Sequence, residues 1–303
     1  MQKYLVTGAS GFIGSTLVKR LGTNATSVVR KPTNLDLHET TVIGDINKDT
    51  DWTHCLENID VVVHLAGIAH KSNISCEEYN EVNHLGTIKL AQDAINAGVK
   101  RFVFISTIGV LGLSGTFDDN SIPEPHNDYA RSKLDAENGL LKLAQQTGLE
   151  VVIIRPTLVY GPKAPGNFGL LCKLINKTPF LPFGLSSNKR SFISVENLVD
   201  LIVTCSNHSN AAGNIFLGSE STAISTKDFT NQIALGLRKK IIQLPIPPSL
   251  AKLAFALIRK PGLYTQLFKD LSINSDKSQQ ILDWVPPHTM AQTMTQLHES
   301  NND

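Results

Sequence analysis

Tyr129 and Lys133 lie four residues apart in NDYARSKLDAE (127–137), so in a helix they would stand one above the other on one face. A phenol has an unperturbed pKa of about 10 and is a poor base at neutral pH. Lowering it by about three units takes roughly 4 kcal/mol of added stabilisation of the phenolate. One ammonium about 4 Å away, at an effective dielectric of about 20, supplies on the order of 4 kcal/mol. The pair therefore suits a proton relay at a hydroxyl or carbonyl carbon, or else it is an ordinary pair on a helix surface.

A second set of residues suits an anion. In TGASGFIG, Gly8, Gly11 and Gly14 follow a short apolar strand and enter a helix. That context brings backbone N–H groups and a helix N-terminus against a pyrophosphate, although the GxxGxxG spacing departs from the usual GxGxxG by one residue. The expectation is a dinucleotide site, with a tight structural turn as the alternative. At the end of the second strand, where an acidic residue normally binds the adenosine ribose, the chain has Arg30 and Lys31. Two cations suit a 2′-phosphate, which favours NADP over NAD, or they form a solvated surface pair. Asp45, in GDI, is placed to accept from the adenine amine or to close a turn.

These residues need a scaffold, and the pattern supplies one. YLVTG (4–8), SVVR (27–30), VVVHLA (61–66), FVFIS (102–106) and VVIIR (151–155) read as buried strands. Helical patterns over 12–21, 77–97 and 129–147 alternate with them. The fold class is therefore α/β, a doubly wound parallel sheet with helices on both faces. Residues 1–160 form the dinucleotide-binding part, joined by a returning strand near 213–218. A helix is expected over 194–207, and residues 161–303 are mainly a smaller, interleaved substrate lobe.

The chain has 303 residues, with 28 Lys+Arg against 27 Asp+Glu, and a net charge of +1 gives no reason to expect nucleic acid or a membrane surface as a bulk partner. Cys55, Cys76, Cys172 and Cys205 form no CxxC pair and read as free thiols in a reducing cytoplasm. The opening MQKYLVTGASGFIGS has no secretory h-region, so a cytoplasmic protein is expected. LAKLAFALI (250–258) is too short to span a bilayer and reads as a buried helix face, with interfacial contact left open. His64, His70 and His84 share no metal-ligand spacing, and no metal is expected.

An ordered series of motifs resembles the extended short-chain dehydrogenase/reductases of the nucleotide-sugar epimerase/dehydratase group. They are TGASGFIG, GDI, HLAG (64–67), EVNHLGT (81–87), FVFISTIGVLG (102–112), YARSK (129–133), RPTLVYGP (155–162) and RSFISVENLVD (190–200). The resemblance runs from residue 1 to about 300. It implies that Tyr129 exchanges a proton with a sugar hydroxyl or ketone while a nicotinamide exchanges a hydride, and that Lys133 also binds the nicotinamide ribose. It places Thr107, with Ser106 as runner-up, on the reacting oxygen. The cofactor residues it implies are Gly8, Gly11, Phe12, Ile13, Gly14, Arg30, Asp45, Ile46, Leu65, Ala66, Gly67, Asn83, Tyr129, Lys133 and Pro156.

On the substrate side the resemblance puts Asn167 near the diphosphate, Phe183 against uracil and Arg190 on the diphosphate, alongside Thr107 and Tyr129. Related 4,6-dehydratases carry an Asp-Glu pair after the threonine, whereas this chain has Ile108 and Gly109, so dehydration lacks its acid and base. What remains is hydride transfer at sugar C4 of a UDP-sugar, by a 4-epimerase or a 4-keto-sugar reductase. Leu111 and Ala130 depart from the family's usual tyrosine and glycine, and no second diphosphate arginine stands between 255 and 285. A homodimer through the tyrosine-bearing helix is also implied, with Leu134, Leu140, Leu141 and Leu143 on the shared face or in the core. A reductase of a non-sugar carbonyl and a silent cofactor-binding regulator share the same fold signals. The complete Thr107, Tyr129 and Lys133 set favours an enzyme.

Overall fold

The computed structural model of the chain describes residues 2–69, 74–220, 222–257 and 259–299. Seven strands form one sheet: β1 (Tyr4–Thr7), β2 (Ala25–Val29), β3 (Glu39–Val42), β4 (Val61–His64), β5 (Arg101–Ile105), β6 (Glu150–Pro156) and β7 (Ile215–Gly218). Their order is β3-β2-β1-β4-β5-β6-β7, and every pairing is parallel. The order reverses between β1 and β4, and the carboxyl ends of these two strands frame the crevice of such a sheet.

Strand residues feed the two faces alternately, as the two-residue pleat requires. Val6, Val63, Val103, Ile105, Val152 and Ile154 enter the core shared with the helices Phe12–Leu21 and Val195–Asn207. Leu5, Val62, Phe102, Phe104, Val151 and Ile153 enter the core on the opposite face, under the helices of 76–96 and Asp128–Thr147. Burial on both sides is why these strands are apolar throughout.

Two differences from the sequence expectations concern boundaries. β3 is an edge strand with an exposed, polar sequence, ETTV, and so carries no hydrophobic signal. The helix Val195–Asn207, Leu282 and Trp284, within the stretch expected to be mainly lobe, pack into the first core, beside the returning strand β7 that was expected there. The lobe has its own core, built from Phe168, Leu181, Phe183, Phe229, Tyr264 and Phe268 among others. Leu140 is fully buried, and Leu134, Leu141 and Leu143 pack against cores of the same chain.

Beneath the crevice, β1 and β4 are tied to the 76–96 helix through a buried histidine. The Thr7 hydroxyl accepts from the N–H groups of Leu65 and Ala66, each at 3.2 Å, and donates to His64 Nδ1 at 2.8 Å. His64 Nε2 lies 3.0 Å from the Thr87 hydroxyl, which donates to the Asn83 carbonyl at 2.7 Å. Each hydroxyl has one proton to give, so the ring is the Nε2–H tautomer. Both of its nitrogens are engaged, which leaves no lone pair for a metal. His84 Nδ1 is held by the Asn80 amide at 2.9 Å, and His70 lies outside the described residues.

A buried ion pair holds the tyrosine-bearing helix to the sheet. Arg155 on β6 donates from Nε and Nη2 to the Glu137 carboxylate, at 3.1 and 2.6 Å. Glu137→Leu leaves that guanidinium buried without its partner and should cost about 3–5 kcal/mol, read from urea unfolding. Burial lowers the His64 pKa from 6.5 to about 3, with the Lys133 charge adding to the effect. Between those values the unfolded chain binds the extra proton, so native stability should fall as the pH drops through this window. His64→Asn should flatten that part of the stability–pH curve, measured by thermal unfolding.

Candidate active site

The glycine loop is shaped by contacts that exclude side chains. Gly8 has φ +69°, and a Cβ there would lie 2.9 Å from the Ala66 nitrogen. A Cβ on Gly14 would lie 2.1 Å from the Gly8 carbonyl oxygen, so the helix Phe12–Leu21 starts hard against the turn. The Gly11 N–H closes the turn onto the Gly8 carbonyl at 2.9 Å. This bare backbone at a helix N-terminus fits a pyrophosphate, which a Cβ would hold away.

Two cavities share Gly8, Gly11, Leu65 and Gly67 as a common wall. The first, of about 440 Å³, is bordered by Phe12, Ile13, Gly14, Ser106, Thr107, Tyr129, Lys133, Pro156, Asn167 and Arg190. The second is bordered by Arg30, Asp45, Ile46 and Ala66. Together they give the crevice one end for the reacting groups and one for an adenosine. Arg30 Nη1 lies 3.6 Å from Asp45 Oδ1, with both groups exposed, so the expected cation is shared with a carboxylate. Lys31 does not border either cavity.

Tyr129 stands in the first turn of the helix Asp128–Thr147, which begins where the Asn127 side chain accepts from the Ala130 N–H at 2.8 Å. This cap sets the rotation of the helix and turns both Tyr129 and Lys133 to the cleft. Thr107 ends the strand region after β5, where its hydroxyl accepts from the Gly109 N–H at 3.1 Å. Ser106 Oγ is buried beside it without a hydrogen-bond partner and borders the same cavity.

The electrostatics differ from the expectation of a phenol made acidic by its lysine. Burial pushes Tyr129 up to about 12; the Thr107 side chain pulls it back and the Tyr79 phenol adds to the rise. The Lys133 ammonium is engaged with the backbone at the end of β5. Nζ donates to the Ile105 carbonyl at 2.9 Å and lies 4.4 Å from the centroid of the Phe104 ring. Burial brings Lys133 down to about 8, while Glu137 supports its charge. In this state the phenol is protonated at neutral pH and is a hydrogen-bond donor to an oxygen placed between it and Thr107.

Three other residues take places the motifs alone could not assign. Asn83 borders neither cavity; it is fully buried and spends its amide on the Ile68 N–H at 2.8 Å, the Ile68 carbonyl at 3.0 Å and the Ser132 hydroxyl at 3.1 Å. It lies in a π-helical turn, Asn80–Leu85, within the 76–96 helix, and it fixes the backbone of the 65–69 loop that borders both cavities. Phe183 is 1 % exposed and packs on Phe268, with ring centroids 5.5 Å apart. It belongs to the lobe core, not to the cleft wall expected for a uracil-stacking ring, because the PFLPFG segment turns it inward. Arg190 is buried yet borders the cleft; its Nη1 donates to the Lys269 carbonyl at 2.8 Å, and burial lowers it only to about 10, so it stays charged.

The sequence reading missed Gln266 and His126. Gln266 Oε1 accepts from Asn167 Nδ2 at 3.0 Å across the cleft mouth, and His126 borders the cavity beside Thr107. Neither sits in a motif; only the fold brings them there. No aspartate or glutamate borders the reacting end of the crevice among the described residues. The arrangement can exchange a proton with a bound hydroxyl and hold an anion, but it has no carboxylate for eliminating water.

Comparisons with known proteins agree with this geometry. Residues 4–217 match the model of the NAD dependent epimerase/dehydratase family. A Vibrio cholerae protein named UDP-glucose 4-epimerase is 42 % identical over 98 % of this chain and 94 % of its own length. Among solved structures, a short-chain dehydrogenase/reductase superfamily protein from Agrobacterium tumefaciens with bound NAD superposes with a TM-score of 0.80 at 17 % identity, covering 99 % of this chain and 97 % of that one. UDP-glucuronic acid 4-epimerase from Bacillus cereus, in complex with NAD, superposes with a TM-score of 0.78 at 22 % identity over 99 % and 96 % of the two chains. The family match covers the glycine loop, Thr107, Tyr129 and Lys133 that frame one crevice of a seven-stranded parallel sheet. The chain therefore belongs to the NAD dependent epimerase/dehydratase family and is an enzyme of the extended short-chain dehydrogenase/reductase type.

Proposed function

We propose that the protein is a 4-epimerase of a UDP-hexose that keeps a nicotinamide dinucleotide bound. The observation that carries this reading is the placement of Thr107, Tyr129 and Lys133 on one cavity that no carboxylate borders among the described residues. The resemblance to the Vibrio cholerae UDP-glucose 4-epimerase supports the substrate class. Gly8, Gly11 and Gly14 would hold the pyrophosphate, with Lys133 on the nicotinamide ribose and Asp45 near the adenosine. When bound, the dinucleotide supplies the hydride site that takes hydrogen from C4 and returns it.

The chain's own residues manage the proton. Thr107 and Tyr129 would grip the C4 oxygen from two sides, and Tyr129 would take its proton and give it back. The raised phenol pKa means that this transfer needs positive charge close by. Lys133 has that charge below about pH 8, once its ammonium serves the ligand as well as the Ile105 carbonyl. Arg190 would neutralise the diphosphate from a buried position where its charge is little screened. Asn167 and Gln266 would close the mouth. The Arg30–Asp45 pair supports NAD over NADP, because a 2′-phosphate would have to approach the Asp45 carboxylate. A homodimer through the helices of 76–96 and 128–147 is part of this reading, since Ile88, Leu141 and Leu143 remain half-buried there.

Purified protein should interconvert UDP-glucose and UDP-galactose without net oxidation or reduction. Stoichiometric consumption of NADPH with a 4-keto-sugar nucleotide, and no interconversion, would instead identify a 4-ketoreductase. Tyr129→Phe should lower kcat by about 10²–10⁴-fold with little change in KM, because it removes a proton transfer and leaves binding intact. In thermal-shift measurements NAD should raise the melting temperature more than NADP does. Dinucleotide affinity should weaken as the pH rises past about 8, where the Lys133 ammonium is lost, and Lys133→Met should remove that dependence.

A further inference from the structure

The net charge of +1 hides a strong asymmetry. Residues 157–189 and 229–269, which belong to the lobe, contain four and seven Lys or Arg, respectively, and no Asp or Glu. The rest of the chain therefore has 17 basic residues against all 27 acidic ones. The two basic segments are far apart in sequence but adjoin in the lobe. They are joined by the parallel pairing of Phe180 with Ile242 and by the Gly184 N–H bonded to the Leu244 carbonyl at 2.9 Å.

The same two segments hold most of the large apolar side chains that the structure leaves in solvent. Phe180 is 52 % exposed and its ladder partner Ile242 is 55 % exposed. Leu244, two residues on, emerges on the same face of that ladder. After Pro245–Pro247 the helix Pro248–Leu257 begins. It buries only Ala251, while Leu250, Leu253 and Leu257 are 54 %, 57 % and 76 % exposed. Their spacing of three and four places them on one helix face. The expected buried face of this segment is thus turned outward. Lys173, Lys177, Lys239, Lys240, Lys252 and Arg259, on the same two segments, are exposed.

We infer that this side of the lobe docks on a bilayer surface bearing anionic lipid. A short helix with leucines on one face and lysines at its flanks is what an interfacial segment requires: apolar groups enter the acyl boundary while cations meet the headgroups. No helix among the described residues is long and apolar enough to cross a membrane, so the contact is peripheral. A second copy of the chain fits poorly here, because it would bring two cationic faces together with no acidic partner in either segment. The face also adjoins the cleft. The helix Pro261–Phe268 packs on Pro248–Leu257 and carries Gln266, which meets Asn167 at the mouth. Docking would therefore set the mouth close to the membrane surface. The inference does not depend on which sugar nucleotide is turned over.

The test is co-sedimentation of the full chain with vesicles of phosphatidylcholine, with and without phosphatidylglycerol. The expected result is binding to the phosphatidylglycerol vesicles at low salt, weak binding to phosphatidylcholine alone, and release at high salt. The double variant Leu253→Glu, Leu257→Glu should lose about tenfold or more of that binding with an unchanged melting temperature. Lys239→Glu with Lys240→Glu should bind less tightly and with a shallower salt dependence. Absence of sedimentation with phosphatidylglycerol vesicles, or binding that the leucine variant leaves intact, would overturn the inference. So would light scattering that shows a wild-type oligomer turned monomeric by the leucine variant, since the face would then belong to a second copy.

Discussion

Below the cleft, an imidazole with no access to water joins three separate pieces of chain. Thr7 ends β1, His64 ends β4, and Thr87 belongs to the helix that crosses behind them. The same Thr7 hydroxyl receives two N–H groups of the 65–66 turn, and the far end of the chain of bonds reaches Asn83, which holds the 68 backbone on both its donor and its acceptor. These groups are buried, so any one left unpaired would cost more than the bond itself contributes. The glycine loop can then press against Ala66 at a distance that admits no side chain, because Ala66 is itself held from below. A pyrophosphate cradle needs this sort of rigidity: its donors are backbone groups and cannot adjust as side chains do.

The reacting groups sit on the other wall under opposing influences. Burial disfavours the charged form of both Tyr129 and Lys133, raising the first and lowering the second. Helical spacing puts them on one cleft, where the ammonium donates to the Ile105 carbonyl at the end of β5. The phenol is therefore neutral at neutral pH in this state, with its proton available to donate. Glu137 moderates the cost for Lys133 from one turn further along the helix, and it is itself neutralised by Arg155. One buried carboxylate thus fastens the helix to the sheet and supports the charge of the lysine.

The lobe follows a different logic from the sheet. Its core of stacked and tilted aromatic rings, with Phe192 and Phe229 only 3.7 Å apart, is closed on the inside. Two of its segments, 157–189 and 229–269, keep exposed leucines and lysines together and contain no acid. An average over the whole chain erases that contrast, since all the carboxylates lie outside these two segments.

Several features were legible without coordinates because local physics writes them directly. Strands buried on both faces must be apolar at successive positions, so β1, β4, β5 and β6 stood out, whereas the exposed edge strand Glu39–Val42 left no such mark. The glycine triplet and the Tyr129–Lys133 spacing were equally plain, since each is a constraint on neighbours in sequence. Tertiary packing alone decided the rest. An aromatic in PFLPFG and a leucine stripe in 250–257 have the same local pattern whether they face a cleft, a core or solvent, and packing sent Phe183 inward and Leu253 outward. The direction of the Lys133 ammonium depends on a carbonyl 28 residues away, and the Asn167–Gln266 contact spans 99 residues. Composition and spacing set which groups are present and their local order. Where a charge points, and what surrounds it, depends on contacts between distant parts of the chain, which exist only once the chain has folded.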